Sequence, residues 1–128
     1  MKKLLLDTHA FLWFVTGDRR LSRRARRAIE ADDAELLIST ASVWEIAIKA
    51  SLGRLTLPKS VRDYVDEKIA AGFIILPIEW PHAARVAELP FHHRDPFDRL
   101  IIAQGFVESL PIVSGDPVFK SYGARIVW

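Results

Sequence analysis

The sequence predicts an α/β fold in which helices cover both faces of a mainly parallel β-sheet, because three observations agree. Short apolar runs alternate with helical patterns along the 128 residues, which is typical of strand–helix–strand units. The apolar runs are continuous, as in strands that are covered on both faces. Serine, aspartate, glycine and proline mark the ends of the helical patterns. No linker or repeat interrupts them, so residues 1–128 are expected to form one domain.

Five apolar runs are predicted to be strands, because each is short and is bounded by turn or cap residues. In chain order they are residues 3–6, 35–39, 73–76, 112–114 and 125–127. The helices between them are predicted at residues 8–15, 21–31, 42–52, 61–71 and 96–110, with a further short helix bracketed by Pro81 and Pro90.

Residues that cap helices support these boundaries. Ser22 and Ser60 each precede a helical pattern, and Asp95 followed by Pro96 is a strong helix start. Ser42 and Glu45 are spaced as in a capping box, so that helix is predicted to begin at Ser42. Asp-Pro at positions 116–117 repeats that arrangement before a short turn. Glycine at position 105 weakens the last long helix, which indicates a packing reason for it.

The composition excludes several classes of protein. Half of the residues are hydrophobic, which excludes a disordered chain, and the net charge of +2 gives little indication of a nucleic-acid partner. Cysteine is absent, which excludes disulfides and thiolate metal sites and suits a cytoplasmic protein. The apolar runs are too short to span a membrane, and the first of them stops at Asp7, unlike a signal peptide.

Four acidic residues lie where the predicted fold would bring them together. Asp7 follows the first strand and Asp116 follows the fourth, while Glu45 and Asp98 lie near the starts of two helices. These positions border one crevice in an open parallel sheet. Clustered carboxylates repel one another unless a cation lies among them, and their oxygen atoms favour Mg²⁺ or Mn²⁺. The sequence therefore predicts a metal-dependent phosphodiester hydrolase.

Each of these acids also has a purely structural explanation. Glu45 could complete its capping box, Asp7 and Asp116 could be helix N-caps, and Asp98 could favour a helix dipole. Helix caps have no need to converge, however, so the shared position of the four favours the metal site.

Neighbouring residues are candidates for supporting roles. Asp95 is interpreted as a cap or outer contact and Asp98 as the ligand, because Asp95 directly precedes the proline. Lys49 follows Glu45 by four residues, so it forms a helix ion pair, or it balances the acids and meets a phosphate. Ser114 either orients Asp116 or bonds to the backbone at the strand end.

Three histidines are further candidates for metal ligands. His9, His92 and His93 could bind a metal, but they do not have the spacing of a zinc site, so a polar loop near the acids is favoured for His92 and His93 over a ligand role. No arrangement typical of a serine or cysteine nucleophile is evident.

Arginines crowd into residues 19–27. Four of them are predicted to share one helix face and to contact RNA phosphates, because arginine suits phosphate geometry; they are Arg20, Arg23, Arg24 and Arg27. The alternative is a solvated helix face balanced by nearby acids.

Four stretches that occur in order contain the four acids and together cover essentially the whole chain. They are Leu5-Leu6-Asp7-Thr8-His9; Ser42-Val43-Trp44-Glu45-Ile46 with Lys49; Asp95-Pro96-Phe97-Asp98-Arg99-Leu100-Ile101-Ile102-Ala103-Gln104; and Ser114-Gly115-Asp116 with Phe119. Together these stretches resemble the PIN-domain ribonucleases, and among them the VapC toxins of bacterial and archaeal toxin–antitoxin pairs.

The resemblance implies a three-layer α/β/α fold and Mg²⁺- or Mn²⁺-dependent cleavage of RNA. It places Asp7, Glu45, Asp98 and Asp116 on the four acidic positions of the family, and Ser114 where many relatives have threonine. It further implies a homodimer and a VapB-like antitoxin that occludes the site, with DNA contacted only through the antitoxin complex. The RNA target differs among relatives and does not transfer.

Two rival functions are weaker. A phospho-aspartyl phosphatase needs a second aspartate two residues after the first, and this chain has His9 there. A PIN-like module that binds RNA or protein without cutting would not need all four acids.

Overall fold

A computed structural model describes residues 2–128 and contains a five-stranded sheet. Its strands pair in the order β3-β2-β1-β4-β5, and every pair is parallel. The strands are β1 (Lys2–Leu6), β2 (Ala34–Ser39), β3 (Ile74–Leu76), β4 (Ile112–Val113) and β5 (Ile126–Val127). Each strand agrees with one of the predicted runs to within one residue at either end. The predicted parallel sheet is therefore confirmed.

In the part of the chain that the structure describes, seven helices connect these strands. They are α1 (Thr8–Thr16), α2 (Arg23–Glu30), α3 (Thr40–Ser51), α4 (Val61–Ala70), α5 (Trp80–Val86), α6 (Pro96–Val107) and α7 (Pro117–Ser121). Within residues 2–128, none of them combines the length and the apolarity that a membrane crossing needs.

Two hydrophobic clusters lie on opposite faces of the sheet. Leu4 and Leu6 belong to one cluster and Leu5 to the other, because successive side chains of a strand point to opposite faces. The first cluster receives side chains from helices α1, α2, α3 and α4. The second receives most of its helical side chains from α6 and α7. The structure is therefore the three-layer α/β/α arrangement that was expected from the sequence.

Several predicted helix caps are confirmed. The Ser22 and Ser60 hydroxyls accept hydrogen bonds from the N–H groups of Ala25 and Asp63. The Asp95 carboxylate accepts from the N–H groups of residues 97 and 98 at 2.9 and 3.2 Å.

The predicted capping box at Ser42 is wrong. Helix α3 begins at Thr40, and its cap is Ser39, the last residue of β2, whose hydroxyl accepts from the Ala41 N–H at 2.9 Å. A cap at the strand end lets the helix start without an intervening loop. Because Ser39 caps the helix, the Glu45 side chain does not complete a capping box, and its carboxylate contacts Thr8 and Lys49 instead.

The predicted arginine face and the turn after Asp116 also need correction. Helix α2 begins at Arg23, so Arg20 precedes it and cannot share its face. Arg20 instead forms an ion pair with Asp18 at 2.7 Å.

Residues 117–121 form the short helix α7 rather than a turn, because Asp116 caps it and Pro117 suits its first position.

Gly105 allows α6 to lie close to β4. A Cβ atom there would lie 2.8 Å from Ile112 Cδ1, and Ile112 is fully buried. The predicted packing reason for this glycine is confirmed.

Candidate active site

The strand order places two of the predicted acids side by side. From β1 the chain runs to β2 and β3 on one side of the sheet and later returns to β4 and β5 on the other. Asp7 follows β1 and Asp116 comes soon after the neighbouring strand β4, and the Asp7 N–H donates to the Val113 carbonyl at 3.0 Å. In open α/β sheets, ligands bind at the point where the strand order reverses.

Both of these aspartates cap the helix that follows them. Asp7 accepts from the Ala10 N–H at 2.7 Å, and Asp116 accepts from the Val118 N–H at 3.0 Å. Each bond occupies Oδ1 of its carboxylate, so Oδ2 is left for other partners. The structural and the functional explanations are therefore compatible.

Asp98 lies in the first turn of α6, and the imidazole of His93 lies between its carboxylate and that of Asp116. His93 Nε2 lies 2.9 Å from Asp98 Oδ2 and 3.5 Å from Asp116 Oδ2. Ligand atoms of these three residues all lie within 4.8 Å of one another, which is compact enough to surround one metal ion. Within residues 2–128 this is the group of three or more potential metal ligands that meets that distance.

Glu45 is buried beside the start of α1. Its Oε1 accepts a hydrogen bond from the Thr8 hydroxyl at 2.8 Å, and its Oε2 pairs with Lys49 Nζ at 2.8 Å. The helix ion pair expected for Lys49 is therefore present. Both oxygen atoms of Glu45 already have partners, so its carboxylate is held in one orientation.

The buried acids strain one another electrostatically. Burial, together with the negative charges of Asp95, Asp7 and Glu45, raises the pKa of the Asp98 carboxyl from 3.8 to about 7, with His93 opposing the shift. Burial is also the main cause that raises the pKa of Asp7, while hydrogen bonds from Ser114 and Ala10 act in the opposite direction. The cluster thus holds more negative charge than its surroundings stabilise, and a divalent cation would offset that charge.

Residues Arg99 and Tyr122 fix the loop that carries His93. The Tyr122 hydroxyl accepts from the N–H groups of His92 and His93 at 3.1 and 2.8 Å, and from Arg99 at 3.1 Å. The buried guanidinium of Arg99 also donates to the carbonyls of Val86, Leu89 and Pro90. The roles of Arg99 and Tyr122 could not be predicted from the sequence, since their partners lie in other segments.

The predicted supporting residues lie at the same edge of the sheet. Ser114 is buried, accepts from the Asp116 N–H at 3.1 Å and hydrogen-bonds to the Asp7 carboxyl. Asp95 caps α6 and acts on Asp98 through its charge. On helix α2, Arg23, Arg24 and Arg27 are exposed.

The Asp98 pKa predicts how pH affects stability when no metal is bound. The native protein keeps a proton on Asp98 that the unfolded chain releases near pH 3.8, so this contribution to stability is lost as pH rises through about 7. Lowering the pH from 8 to 6 in chelator should therefore raise the free energy of unfolding by about 1 kcal/mol. Urea denaturation followed by circular dichroism measures this change. Equal or lower stability at pH 6 would contradict it.

A family model for the PIN domain matches residues 4–124. The chain belongs to the PIN domain family. A chain of VapBC from Salmonella typhimurium, solved bound to DNA, aligns with this PIN domain at a TM-score of 0.74 and 18% identity, over 98% of this chain and 97% of that one. VapBC2 from Rickettsia felis, bound to a promoter DNA fragment, gives 0.71 and 14%, over 97% and 96%.

FitAcB from Neisseria gonorrhoeae gives a TM-score of 0.65 and 18% identity, over 96% of this PIN domain and 95% of that chain. At such identities the likeness shows a shared fold. A comparison with curated protein sequences gives no significant match.

Proposed function

We propose that this PIN domain is a metal-dependent endoribonuclease that acts as the toxin of a toxin–antitoxin pair. The observation that supports this most strongly is the group formed by Asp98 and Asp116, with buried Asp7 and Glu45 beside it, at the reversal point of the sheet. Carboxylates in such a group suit the hydrolysis of a phosphodiester.

Asp7, Asp98 and Asp116 would hold Mg²⁺ or Mn²⁺. Their oxygen atoms match the preference of both cations, and Oδ2 of Asp116 lies on the side of the cluster that His93 faces. When bound, the cation would lower the pKa of a water molecule and polarise the phosphoryl group.

Glu45 would be a further ligand, through a water molecule, or would position the attacking water. Thr8 and Lys49 hold both of its oxygen atoms, which supports these indirect roles over direct ligation. Lys49 is also partly exposed beside the cluster, so its ammonium can balance the charge of a phosphate. Ser114 would orient Asp7 and the backbone of Asp116.

The solved relatives support the proposed partners. Both VapBC structures were solved with DNA bound, and a further structural relative, at a TM-score of 0.58 and 19% identity, is a toxin–antitoxin complex from Klebsiella pneumoniae. We propose that this chain likewise binds a VapB-like antitoxin, forms a homodimer and contacts DNA only through the antitoxin complex. Arg23, Arg24 and Arg27 remain proposed RNA contacts because they are exposed on α2.

Cleavage of RNA by the purified chain tests this function. The chain, freed of any co-purifying partner, should cleave total RNA in Mg²⁺ or Mn²⁺ and lose that activity in EDTA, as read on a denaturing gel. Asp98→Asn, prepared in parallel, identifies contaminating nuclease. Asp32→Asn, which alters an exposed acid, is the matched control and should cleave as the wild type does.

Two outcomes would change the proposal. Equal cleavage by Asp98→Asn would mean contamination or a misplaced site. RNA binding without cleavage of total RNA or of a panel of transfer RNAs, in either metal, would favour a binding module.

A further inference from the structure

We propose that His93 is a metal ligand of this site, binding through Nε2 together with Asp98 and Asp116, and that this nitrogen makes the site prefer Mn²⁺ to Mg²⁺. The inference rests on the proposed metal-dependent function but concerns metal binding alone. The sequence had favoured a position of His93 near the acids without a ligand role, so the proposal differs from that interpretation.

The distances fit adjacent positions around one ion. Ligand atoms about 2.1 Å from an octahedral ion lie about 3.0 Å apart when they occupy neighbouring corners. His93 Nε2 lies 2.9 Å from Asp98 Oδ2 and 3.5 Å from Asp116 Oδ2. The imidazole therefore already occupies the place of a ligand beside the two carboxylates.

The loop around His93 is built to keep the imidazole there. Its backbone N–H donates to the Tyr122 hydroxyl at 2.8 Å, and Arg99 holds both that hydroxyl and the carbonyls that precede the loop. The neighbouring His92 has the same backbone bond, yet its ring is exposed and packs against Tyr122. Of these two histidines, His93 is the one whose ring is directed at the carboxylates.

The identity of the donor atom determines which metal ion the site prefers. Carboxylate oxygens alone suit Mg²⁺ and Mn²⁺, whereas an imidazole favours transition metals over Mg²⁺. Removing His93 should therefore weaken Mn²⁺ binding more than Mg²⁺ binding. A mere hydrogen bond from His93 to Asp98 would affect the two cations alike.

Binding of Mn²⁺ to the chain in the absence of RNA tests this role directly. Electron spin-echo spectroscopy of Mn²⁺ bound to protein labelled with ¹⁵N-histidine should show coupling to one imidazole nitrogen, and His93→Gln should abolish it. Titration calorimetry should show Mn²⁺ affinity falling at least about tenfold in His93→Gln, with Mg²⁺ affinity changing much less. The glutamine amide can still donate to Asp98, so it preserves the hydrogen bond but not the nitrogen ligand.

His92→Gln is the matched control and should retain the coupling and both affinities. Absence of ¹⁵N coupling in the wild type, or coupling that persists in His93→Gln, would overturn the proposal. So would an equal loss of affinity for the two cations. These readouts do not involve RNA. If the chain binds Mn²⁺ through His93 but cuts no RNA, the proposed nuclease function is wrong and the ligand role of His93 is still supported.

Discussion

Replacing Asp98 with asparagine should abolish metal-dependent RNA cleavage and, at the same time, stabilise the metal-free protein. Activity should fall at least about 100-fold, because the substitution removes a charged ligand from the proposed metal site. Stability should rise because ionised Asp98 is disfavoured by burial and by neighbouring acids, which raise its pKa to about 7. At pH 8 we expect a gain of roughly 1–2 kcal/mol in the free energy of unfolding.

Gel-based cleavage and urea denaturation in chelator measure the two effects on the same preparations. The stability gain should shrink as the pH is lowered from about 7 toward 3.8, because Asp98 of the unfolded wild type then becomes protonated as it already is in the native state. Asp32→Asn should change neither quantity. A loss of stability at pH 8 would show that the carboxylate of Asp98 contributes to folding, which is the opposite of the strain proposed for it.

Replacing Arg99 with methionine should destabilise the fold by about 3 kcal/mol. The guanidinium is only 6% exposed and donates to three backbone carbonyls and to the Tyr122 hydroxyl. Methionine fills most of the volume but supplies no donor. The acceptors would then be left buried without partners, which is costly.

Denaturation in urea measures this loss. Arg125→Met is the matched control, because Arg125 is exposed and donates to a single carbonyl, that of Ser109. The control should change stability by no more than about 0.5 kcal/mol. A similarly small effect for Arg99→Met would mean that water replaces the guanidinium and that the loop before α6 needs no internal support.

Local signals explain why most of the fold could be predicted. Asp95 followed by proline, and the serines before α2 and α4, satisfy backbone N–H groups within their own turns, so the sequence alone reveals them. Asp7 and Asp116 were located through the strands that precede them. Two strongly local rules, capping and apolar runs, therefore predicted both the order of the elements and the position of the acids.

The misassigned start of α3 shows where such rules stop. Ser39 and Ser42 both precede apolar helical sequence, and either could serve as a cap. The choice depends on Glu45, whose partner Thr8 belongs to a different strand–helix unit. A capping rule considers only neighbours in sequence, so it assigned Glu45 to Ser42.

The orientation of the His93 ring could not be predicted for a similar reason. Its place beside Asp98 and Asp116 depends on Tyr122, which follows α7, and on Arg99, which lies within α6. A histidine two residues before a capping aspartate was the available signal, but sequence spacing gives no indication of where its ring points.

The central position of β1 makes the acidic cluster depend on two distant parts of the chain. Asp7 follows β1, whereas Asp116 comes after the neighbouring strand β4, 109 residues later (116 minus 7). During synthesis, the whole segment between these aspartates must emerge from the ribosome before their carboxylates can lie side by side. A copy interrupted anywhere within that segment would therefore lack the assembled cluster. Any partner that recognises the assembled cluster would meet the same delay.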